Sequence, residues 1–142
     1  MDMDMDMEKF VLTKDLHLFG NRVPNFPVGI KEGFDALIEI LPEGLERPYY
    51  GVSWMEDGKV IYYTMAAEKF LGEAKPYDCE MNLTIEKGEY LTVTVRDWMS
   101  KTDSIKDVFD ELMKDKYVAL GAPCVEWYKS DEEMVCMIKS NA

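Results

Sequence analysis

One carboxylate, Glu126, has a sequence setting that could support ligand chemistry. It lies in the strand-like segment 124–128, where alternation places it on the same face as Cys124 and Tyr128. A carboxylate among apolar and aromatic neighbours is costly to bury unless a cation or a proton accompanies it. A cation held in a cavity could be that partner. Because acidic residues are mostly exposed, a solvated or lysine-paired Glu126 is the competing interpretation.

Aromatic side chains are numerous in the predicted strands, and some of them could form a pocket beside Glu126. Aromatic faces attract cations, and methionine adds an adaptable apolar lining. Core packing explains about half of these aromatic residues. From strand position alone, we expect the pocket lining to include Trp54, Trp98 and Tyr128.

Several common catalytic and metal-binding patterns are missing from the sequence. His17 is the single histidine, and nothing in the sequence places a nucleophile beside it. The three cysteines, Cys79, Cys124 and Cys136, show no CxxC spacing, which argues against a disulfide framework and a zinc site and favours a reducing cytoplasm. The sequence has no Gly-rich phosphate loop. We therefore expect neither a metal nor another cofactor.

Charge and hydropathy exclude several classes of partner. The 16 basic and 28 acidic residues give a net charge of −12, which repels a phosphate backbone, so we expect no direct nucleic-acid binding. A negative field favours cationic partners, although it also serves solubility. Since no apolar run is long enough to cross a membrane and no signal peptide is recognisable, we expect a cytoplasmic protein without membrane contact.

Two halves of the chain show the same order of predicted elements. In the first half these are a strand near Leu16–Val23, an amphipathic helix from Ile30 to Leu41, and a hairpin of 49–54 and 60–64 around Asp57-Gly58. In the second half they are a strand pair, Tyr77–Ile85 and Tyr90–Val95, a helix over 105–113 with a Ser or Thr cap near 102–104, and strands at 124–128 and Met134–Lys139.

Short matching motifs indicate that the two halves are copies of one unit. Phe34-Asp35-Ala36-Leu37 matches Phe109-Asp110-Glu111-Leu112 at an offset of 75 residues, and Val52-Ser53-Trp54 matches Val125-Glu126-Trp127 at an offset of 73. We therefore predict an α+β fold in which two pseudo-symmetric βαββ repeats form one antiparallel sheet. Both helices would lie on one face, and a central ligand groove would lie on the other. The counterpart of Glu126 is Ser53, an asymmetry that favours a functional role for the carboxylate.

The repeats set the expected domain boundaries. They span about residues 9–68 and 77–142 of a single domain over 9–142, joined by a polar connection. The alternating Met-Asp segment before them predicts a disordered leader over residues 1–8.

The order of these motifs is similar to that of the GyrI-like effector-binding domains. The resemblance runs from about Asp15 to the end of the chain. It rests on the turn Thr84–Tyr90, with its Ile-x-x-Gly-x-Tyr pattern, and on the strand Cys124–Tyr128. It implies a pseudo-symmetric fold of two strand-helix-strand-strand repeats with a central ligand groove.

The resemblance also implies roles for individual residues. In multidrug-binding members, a glutamate of the penultimate strand meets lipophilic cations among aromatic side chains, and this role falls on Glu126. Tyr90 matches the family's tyrosine after the turn glycine, and Tyr50 matches its usual Tyr-Gly pair, here Tyr50-Gly51. The expected ligand-binding set is therefore Glu126, Tyr90, Tyr50, Trp54, Trp98 and Tyr128.

Members of this family include effector domains of AraC-type and MerR-type multidrug-responsive regulators, the stand-alone DNA gyrase inhibitor protein and stand-alone drug-binding proteins. The regulators carry a separate helix-turn-helix domain, for which the short leader leaves no room, so we do not expect this chain to bind DNA itself. Our leading hypothesis is a non-enzymatic module for small hydrophobic, preferably cationic, ligands, which could serve as a stand-alone effector domain.

Two alternatives use the same resemblance. The first is a hydrolase of cyclopropane-type electrophilic natural products, in which Glu126 has an elevated pKa and activates water while Tyr90 or Tyr128 orients the substrate. The second is a gyrase-inhibitor-like interaction module, whose protein partner would be a topoisomerase or a DNA-binding regulator.

Overall fold

The computed structural model of the protein describes residues 7–119 and 121–140, so most of the predicted leader lies outside it, and Glu8 is already in the first strand. Among the described residues, no helix has the length and apolar character needed to cross a membrane. The elements are β1 (Glu8–Leu12), β2 (Leu16–Arg22), α1 (Ile30–Ile40), β3 (Tyr49–Glu56), β4 (Lys59–Ala67), β5 (Met81–Ile85), β6 (Gly88–Arg96), α2 (Ile105–Met113), β7 (Cys124–Tyr128) and β8 (Glu133–Lys139).

Both helices form where the apolar periodicity predicts them. α1 follows Gly29, whose φ of 100° lies in the left-handed region that favours glycine, and it ends before Pro42, which has no N–H to continue a helix. Ser104 precedes α2, but its hydroxyl donates to the carbonyl of Lys101 instead of capping the helix, so the predicted side-chain cap does not form. The residues that the helices bury against the sheet are Leu37, Ile105, Val108, Phe109 and Leu112.

The described strands pair antiparallel in a single sheet, in the order β1-β6-β8-β7-β3-β4-β2-β5. One strand-helix-strand-strand unit consists of β2, α1, β3 and β4, and the second consists of β6, α2, β7 and β8. β3 and β7 lie side by side at the centre, with Val52 opposite Val125. The order of the strands is symmetric outward from this pair, which confirms the prediction of two pseudo-symmetric βαββ repeats in an α+β fold.

The structure departs from the prediction at the two edge strands, β1 and β5. Segments 77–85 and 90–95 do contain strands, but β5 pairs with β2, and β6 pairs with β1 and β8, so the predicted pairing of these two segments with each other is wrong. β1 itself is a strand that the sequence pattern did not predict. Short links join β1 to β2 and β5 to β6, although the strands of each pair belong to opposite sides of the sheet. The sheet therefore curls until its edges approach, and the links meet where the Lys87 N–H donates to Asp15 at 2.8 Å.

The curled sheet encloses the largest apolar core on the face away from the helices. Residues from the edges and the centre share this core, among them Leu18, Ile85, Val52 and Val125. Two smaller cores lie on the opposite face, one between α1 and its half of the sheet and one between α2 and the other half. The groove predicted on the face opposite the helices is therefore wrong in its location, because that face is filled.

A buried ion pair holds the connection between the two repeats. The Arg47 guanidinium donates to both carboxylate oxygens of Glu73, at 3.1 and 2.7 Å, and to the carbonyl of Ala67 at 2.7 Å. The backbone N–H of Lys69 donates to the same carboxylate at 2.8 Å. The hydrogen bonds from Arg47 hold the pKa of Glu73 below its usual value. Both side chains are closed off from solvent but lie close beneath the surface.

Removing one partner of this pair should destabilise the fold much more than breaking an exposed ion pair. We expect Glu73→Gln to lower the free energy of unfolding by about 3 kcal/mol, because it leaves a buried guanidinium without a counter-charge. Asp35→Asn, which breaks the exposed pair with Lys31, should cost less than about 0.5 kcal/mol. Urea denaturation measures both changes. A loss for Glu73→Gln as small as that for Asp35→Asn would contradict the role of the buried pair.

Candidate ligand-binding cavity

A large cavity lies on the helix face of the sheet, above β3 and β7 and between α1 and α2. Its volume is about 1670 Å³, which exceeds the roughly 300–1,000 Å³ of common small-molecule pockets. The main wall residues are Ile30, Phe34 and Ile38 of α1 and Ile105, Phe109 and Met113 of α2. The floor includes Ser53, Tyr62, Cys124, Glu126 and Tyr128. The space can therefore accommodate a large apolar ligand.

On the floor, two tyrosine hydroxyls donate to one oxygen of Glu126. The Tyr62 hydroxyl lies 2.6 Å and the Tyr128 hydroxyl 2.7 Å from Glu126 Oε1. We call these three residues the carboxylate–tyrosine cluster. Tyr62 is opposite Ser53 in the β3–β4 register, and its hydroxyl reaches over Gly51 to the carboxylate. A Cβ atom on Gly51 would lie 2.0 Å from that hydroxyl and 2.5 Å from Oε1, so the cluster needs glycine at this position.

The second carboxylate oxygen of Glu126, Oε2, remains available to a ligand. No residue within 7–119 or 121–140 donates a hydrogen bond to it. Oε2 is also not buried. Among the described side chains, the buried polar atom that lacks a hydrogen-bond partner is Arg47 Nε, so Oε2, which lacks one too, must be accessible. Glu126 is half-buried and lines the cavity. Oε2 therefore faces the open space of the cavity.

The protein environment shifts the titration of every ionisable group on the floor. Burial raises the pKa of Glu126 above its ordinary value, and the hydrogen bonds from Tyr62 and Tyr128 oppose this rise. Burial also raises the pKa of both tyrosines, so their hydroxyls stay neutral donors. It raises the pKa of the Cys124 thiol to about 11. Glu126 is therefore the floor residue that loses its proton first as the pH rises.

Aromatic rings surround the cluster on several sides. Phe26 stacks on Tyr62 with ring centroids 5.0 Å apart. Phe34 and Trp98 each meet Tyr128 edge to face, with centroids at 5.1 and 5.0 Å. These contacts fix the tyrosine rings and leave an apolar, electron-rich surface around the carboxylate. Such a surface attracts a cation whose charge Glu126 can balance.

The two helices present the same residue pattern to the cavity. α1 carries Ile30-Lys31-x-x-Phe34-Asp35, and α2 carries Ile105-Lys106-x-x-Phe109-Asp110, 75 residues later. The lysine and aspartate of each segment form an exposed ion pair, at 2.7 Å in α1 and 3.7 Å in α2. The walls are therefore close to symmetric and balanced in charge. The floor is not, because Glu126 occupies one half and Ser53 the other.

The six residues expected to bind a ligand divide between the two faces of the sheet. Those that line the cavity with their side chains are Glu126, Trp98 and Tyr128. Tyr50 and Tyr90 belong to the large core on the opposite face, where the Tyr90 hydroxyl donates to the carbonyl of Glu86 at 2.6 Å. Trp54 borders the cavity, but its ring stacks on Tyr63 in the same core. The Tyr50-Gly51 pair thus contributes its glycine to the site.

Sequence reasoning did not select Tyr62, Phe34 or Gly51 for the site. A signal for Tyr62 was present, because the Asp57-Gly58 turn fixes the hairpin register that sets Tyr62 opposite Ser53. Ser53 is the counterpart of Glu126 in the repeat, so Tyr62 could have been assigned to the same face. Phe34 belongs to the matched helix motif, whose cavity-facing side the sequence does not define. For Phe26, which stacks on Tyr62, we find no sequence signal.

The remaining candidates for chemistry lie outside the cluster or lack partners for catalysis. His17 is exposed, and its ring nitrogen lies 3.3 Å from the hydroxyl of Thr84. The cysteines Cys79, Cys124 and Cys136 are free thiols. Within the part of the chain that the structure describes, no group of three or more His, Cys, Asp or Glu side chains is placed to hold a metal ion.

Several solved structures are similar to this protein in fold. No protein-family model and no curated protein matches the chain. The integron cassette protein VCH_CASS2 from the mobile metagenome of Vibrio cholerae is similar over 96% of this chain and 95% of its own, with 16% identity and a TM-score of 0.60. SAV2435 bound to tetraphenylphosphonium is similar over 96% and 93% of the two chains, with 14% identity and a TM-score of 0.63.

A third similar structure is that of a candidate bacterial transcription regulation protein from Staphylococcus aureus MU50. It matches 99% of this chain and 100% of its own, with 14% identity and a TM-score of 0.59. At these identities the likeness shows the fold, which the described residues share with all three proteins over nearly their full lengths. It is consistent with the GyrI-like fold that the motifs resemble.

A methyl group at position 51 should disrupt the carboxylate–tyrosine cluster. We expect Gly51→Ala to lower the free energy of unfolding by about 1–3 kcal/mol, because its Cβ overlaps the Tyr62 hydroxyl and Glu126 Oε1. The same change in a Tyr62→Leu background should cost less, since the tyrosine hydroxyl is then gone. A double-mutant cycle by urea denaturation measures the coupling. Equal costs in both backgrounds would show that Tyr62 does not occupy this space.

The raised pKa of Glu126 should make stability depend on pH. The folded chain keeps a proton that the unfolded chain releases, so the native state loses stability as the pH rises from 4.5, the ordinary pKa of glutamate, to the pKa of Glu126 in the folded chain. The loss is about 1.4 kcal/mol for each unit by which the pKa is raised. Relative to the wild type, Glu126→Gln should therefore gain stability across this window and hold a constant advantage above it.

Urea denaturation at a series of pH values tests this effect. Tyr128→Phe is the control, because it removes a hydrogen bond that lowers the pKa of Glu126 and should extend the window to higher pH. If the difference between wild type and Glu126→Gln were the same at every pH, Glu126 would titrate equally in the folded and unfolded chains.

Proposed function

We propose that this protein binds small hydrophobic cations in the cavity between α1 and α2, as a binding module that does not transform its ligand. The observation that carries the proposal is the unpartnered Oε2 of Glu126 on the floor of an aromatic cavity. Burial of apolar ligand surface against the helix walls would supply most of the affinity. Glu126 would select for charge, because a neutral ligand cannot balance a carboxylate in this setting.

The cluster favours cations whose charge is spread over a large apolar body. A compact ammonium is strongly hydrated and gives up more hydration on entering an apolar site. The hydroxyls of Tyr62 and Tyr128 stabilise the ionised carboxylate at Oε1 without neutralising it. A bound cation would add to this stabilisation and lower the pKa of Glu126. Binding at acidic pH would therefore release a proton.

Two of the similar structures support this proposal. SAV2435 shares the fold and is seen with tetraphenylphosphonium, a cation of the dispersed, apolar kind. The likeness to the candidate transcription regulation protein supports a role in transcription regulation, as an effector domain. The net charge of −12 repels a phosphate backbone and so supports DNA contact through another protein. The three free cysteines fit a reducing cytoplasm.

The hydrolase hypothesis pairs Glu126 with Tyr90 or Tyr128 as the residue that orients the substrate. Tyr90 lies on the opposite face of the sheet, with its hydroxyl bound to a backbone carbonyl. The hydroxyls beside Glu126 belong to Tyr62 and Tyr128, and both already donate to the carboxylate. We therefore base the proposal on binding. Hydrolysis and the topoisomerase or regulator partner stay predictions.

Substitution of the carboxylate by its amide tests the role of Glu126. We expect Glu126→Gln to weaken the binding of tetraphenylphosphonium by about tenfold or more, since a charge-assisted contact is worth roughly 1.5–3 kcal/mol. Triphenylmethane, a neutral probe of similar shape, should bind wild type and variant within about twofold of each other. Quenching of tryptophan fluorescence measures both affinities, since Trp98 lines the cavity.

Asp110→Asn is the matched control, because Asp110 also lines the cavity but lies at its exposed rim in an ion pair with Lys106. This variant should bind tetraphenylphosphonium within about twofold of the wild type. If Glu126→Gln weakened both probes equally, or if Asp110→Asn had the same effect, Glu126 would not be the charge-selecting residue.

A further inference from the structure

The geometry of the carboxylate–tyrosine cluster determines where a proton on Glu126 must sit. Oε1 already accepts two hydroxyl protons, at 2.6 and 2.7 Å. A proton on Oε1 would force Tyr62 or Tyr128 to turn its own O–H elsewhere. The best alternative acceptor is the other hydroxyl, 3.4 Å away, which is a poor hydrogen-bond distance. The proton of a neutral Glu126 therefore belongs on Oε2, where it points into the cavity.

We infer that the cavity also takes neutral ligands that carry a strong hydrogen-bond acceptor, such as a phosphine oxide, held by a proton on Glu126 Oε2. This inference rests on the proposed function, since it uses the same walls and the same carboxylate. Ionised Glu126 presents a charge to a cation, and protonated Glu126 presents an O–H donor at the same point. The apolar walls are unchanged, so both ligand classes have the same size and shape.

A hydrogen-bond donor at Glu126 Oε2 would stabilise the bound state of such a ligand. The acceptor oxygen of a neutral apolar molecule loses its hydration in the cavity, and an unpaired buried acceptor costs roughly 1–3 kcal/mol. The hydroxyls of Tyr62 and Tyr128 cannot supply the missing bond, because both donate to Oε1. Protonated Oε2 supplies it without any rearrangement of the cluster.

Other titratable groups surround Glu126 on the strands, on the helices and on the loops that line the cavity. On the strands these are Tyr62, Tyr128, Cys124 and Cys136, and burial raises the pKa of each of them. From the helices come the exposed lysine–aspartate pairs of α1 and α2. The loops add Glu46, Asp115, Lys116, Lys129 and Asp131 to the cavity lining. The raised pKa of Glu126 has burial as its cause, opposed by the two tyrosine hydrogen bonds.

Glu126→Gln mimics the protonated state of Glu126 at every pH, because the amide does not titrate. Its amide oxygen can replace Oε1 and accept both tyrosine hydroxyls, which leaves the NH₂ group in the place of Oε2 as a donor into the cavity. Such a variant should bind a cation poorly and a neutral acceptor well, at any pH. The same substitution therefore changes the two ligand classes in opposite directions.

The experiment titrates triphenylphosphine oxide, tetraphenylphosphonium and triphenylmethane against the wild type from about pH 4 to about pH 8, by fluorescence quenching, with near-UV circular dichroism to confirm that the chain stays folded. We expect affinity for the phosphine oxide to rise about fivefold or more as the pH falls. Affinity for the phosphonium should fall with the same midpoint, and affinity for triphenylmethane should not change. In Glu126→Gln, the phosphine oxide should bind independently of pH, at least as tightly as to the acidified wild type.

Two results would overturn the inference while leaving the cation site in place. One is phosphine oxide affinity that does not change with pH while phosphonium affinity falls on acidification. The other is an equal rise for triphenylmethane, which would show that the effect does not come from a hydrogen bond. A third contrary result is the loss of the pH dependence in Asp110→Asn, because the titrating group would then lie at the rim of the cavity. If the phosphine oxide bound with the expected pH dependence and the phosphonium did not bind at all, the result would support the O–H donor on Glu126 and refute the proposed cation site.

Discussion

The candidate site depends on the carboxylate of Glu126, whose two oxygens differ in their hydrogen bonding to the protein. Oε1 of Glu126 receives two hydroxyl donors, so the side chain is held rigidly and its ionised form is tolerated. Oε2 receives none from the described residues and faces a cavity with aromatic walls. A proton or a ligand that completes the hydrogen bonding of such a polar group in a largely apolar space would stabilise it. Every functional inference about this protein follows from that incomplete arrangement.

The cluster exists because the two repeats differ where they meet. The register of the sheet makes Ser53 the counterpart of Glu126, and Cys136 the counterpart of Tyr62. Gly51 leaves the gap over which the tyrosine reaches, whereas its counterpart, Cys124, fills the equivalent space with a side chain. The helix walls, by contrast, repeat the same apolar and charged pattern. A symmetric shell thus surrounds a floor that is charged in one half, so a ligand can bind with a defined polar end.

Much of the fold could be predicted from the sequence because its signals are local. Apolar periodicity defines both helices, and the Asp57-Gly58 turn defines the β3–β4 hairpin and its register. The partners of β5 and of β6 could not be predicted in this way. Strands adjacent in sequence usually pair with each other, and the curl that separates these two is a property of the whole sheet. Alternation likewise assigns residues to two faces without showing which face is filled. For this reason Tyr50 and Tyr90 were expected beside Glu126 and lie across the sheet from it.

The curl of the sheet also explains how a cavity of this size coexists with a stable fold. The edge strands β1 and β5 close over the inner face, so the largest core forms without either helix. Each helix then packs on its own half of the sheet, in a core of its own. Neither core needs the two helices to touch, and the space between them is free to remain open. The candidate cavity and the largest core therefore lie on opposite faces of the same central strands, β3 and β7, so a substitution on the cavity face can largely spare the core.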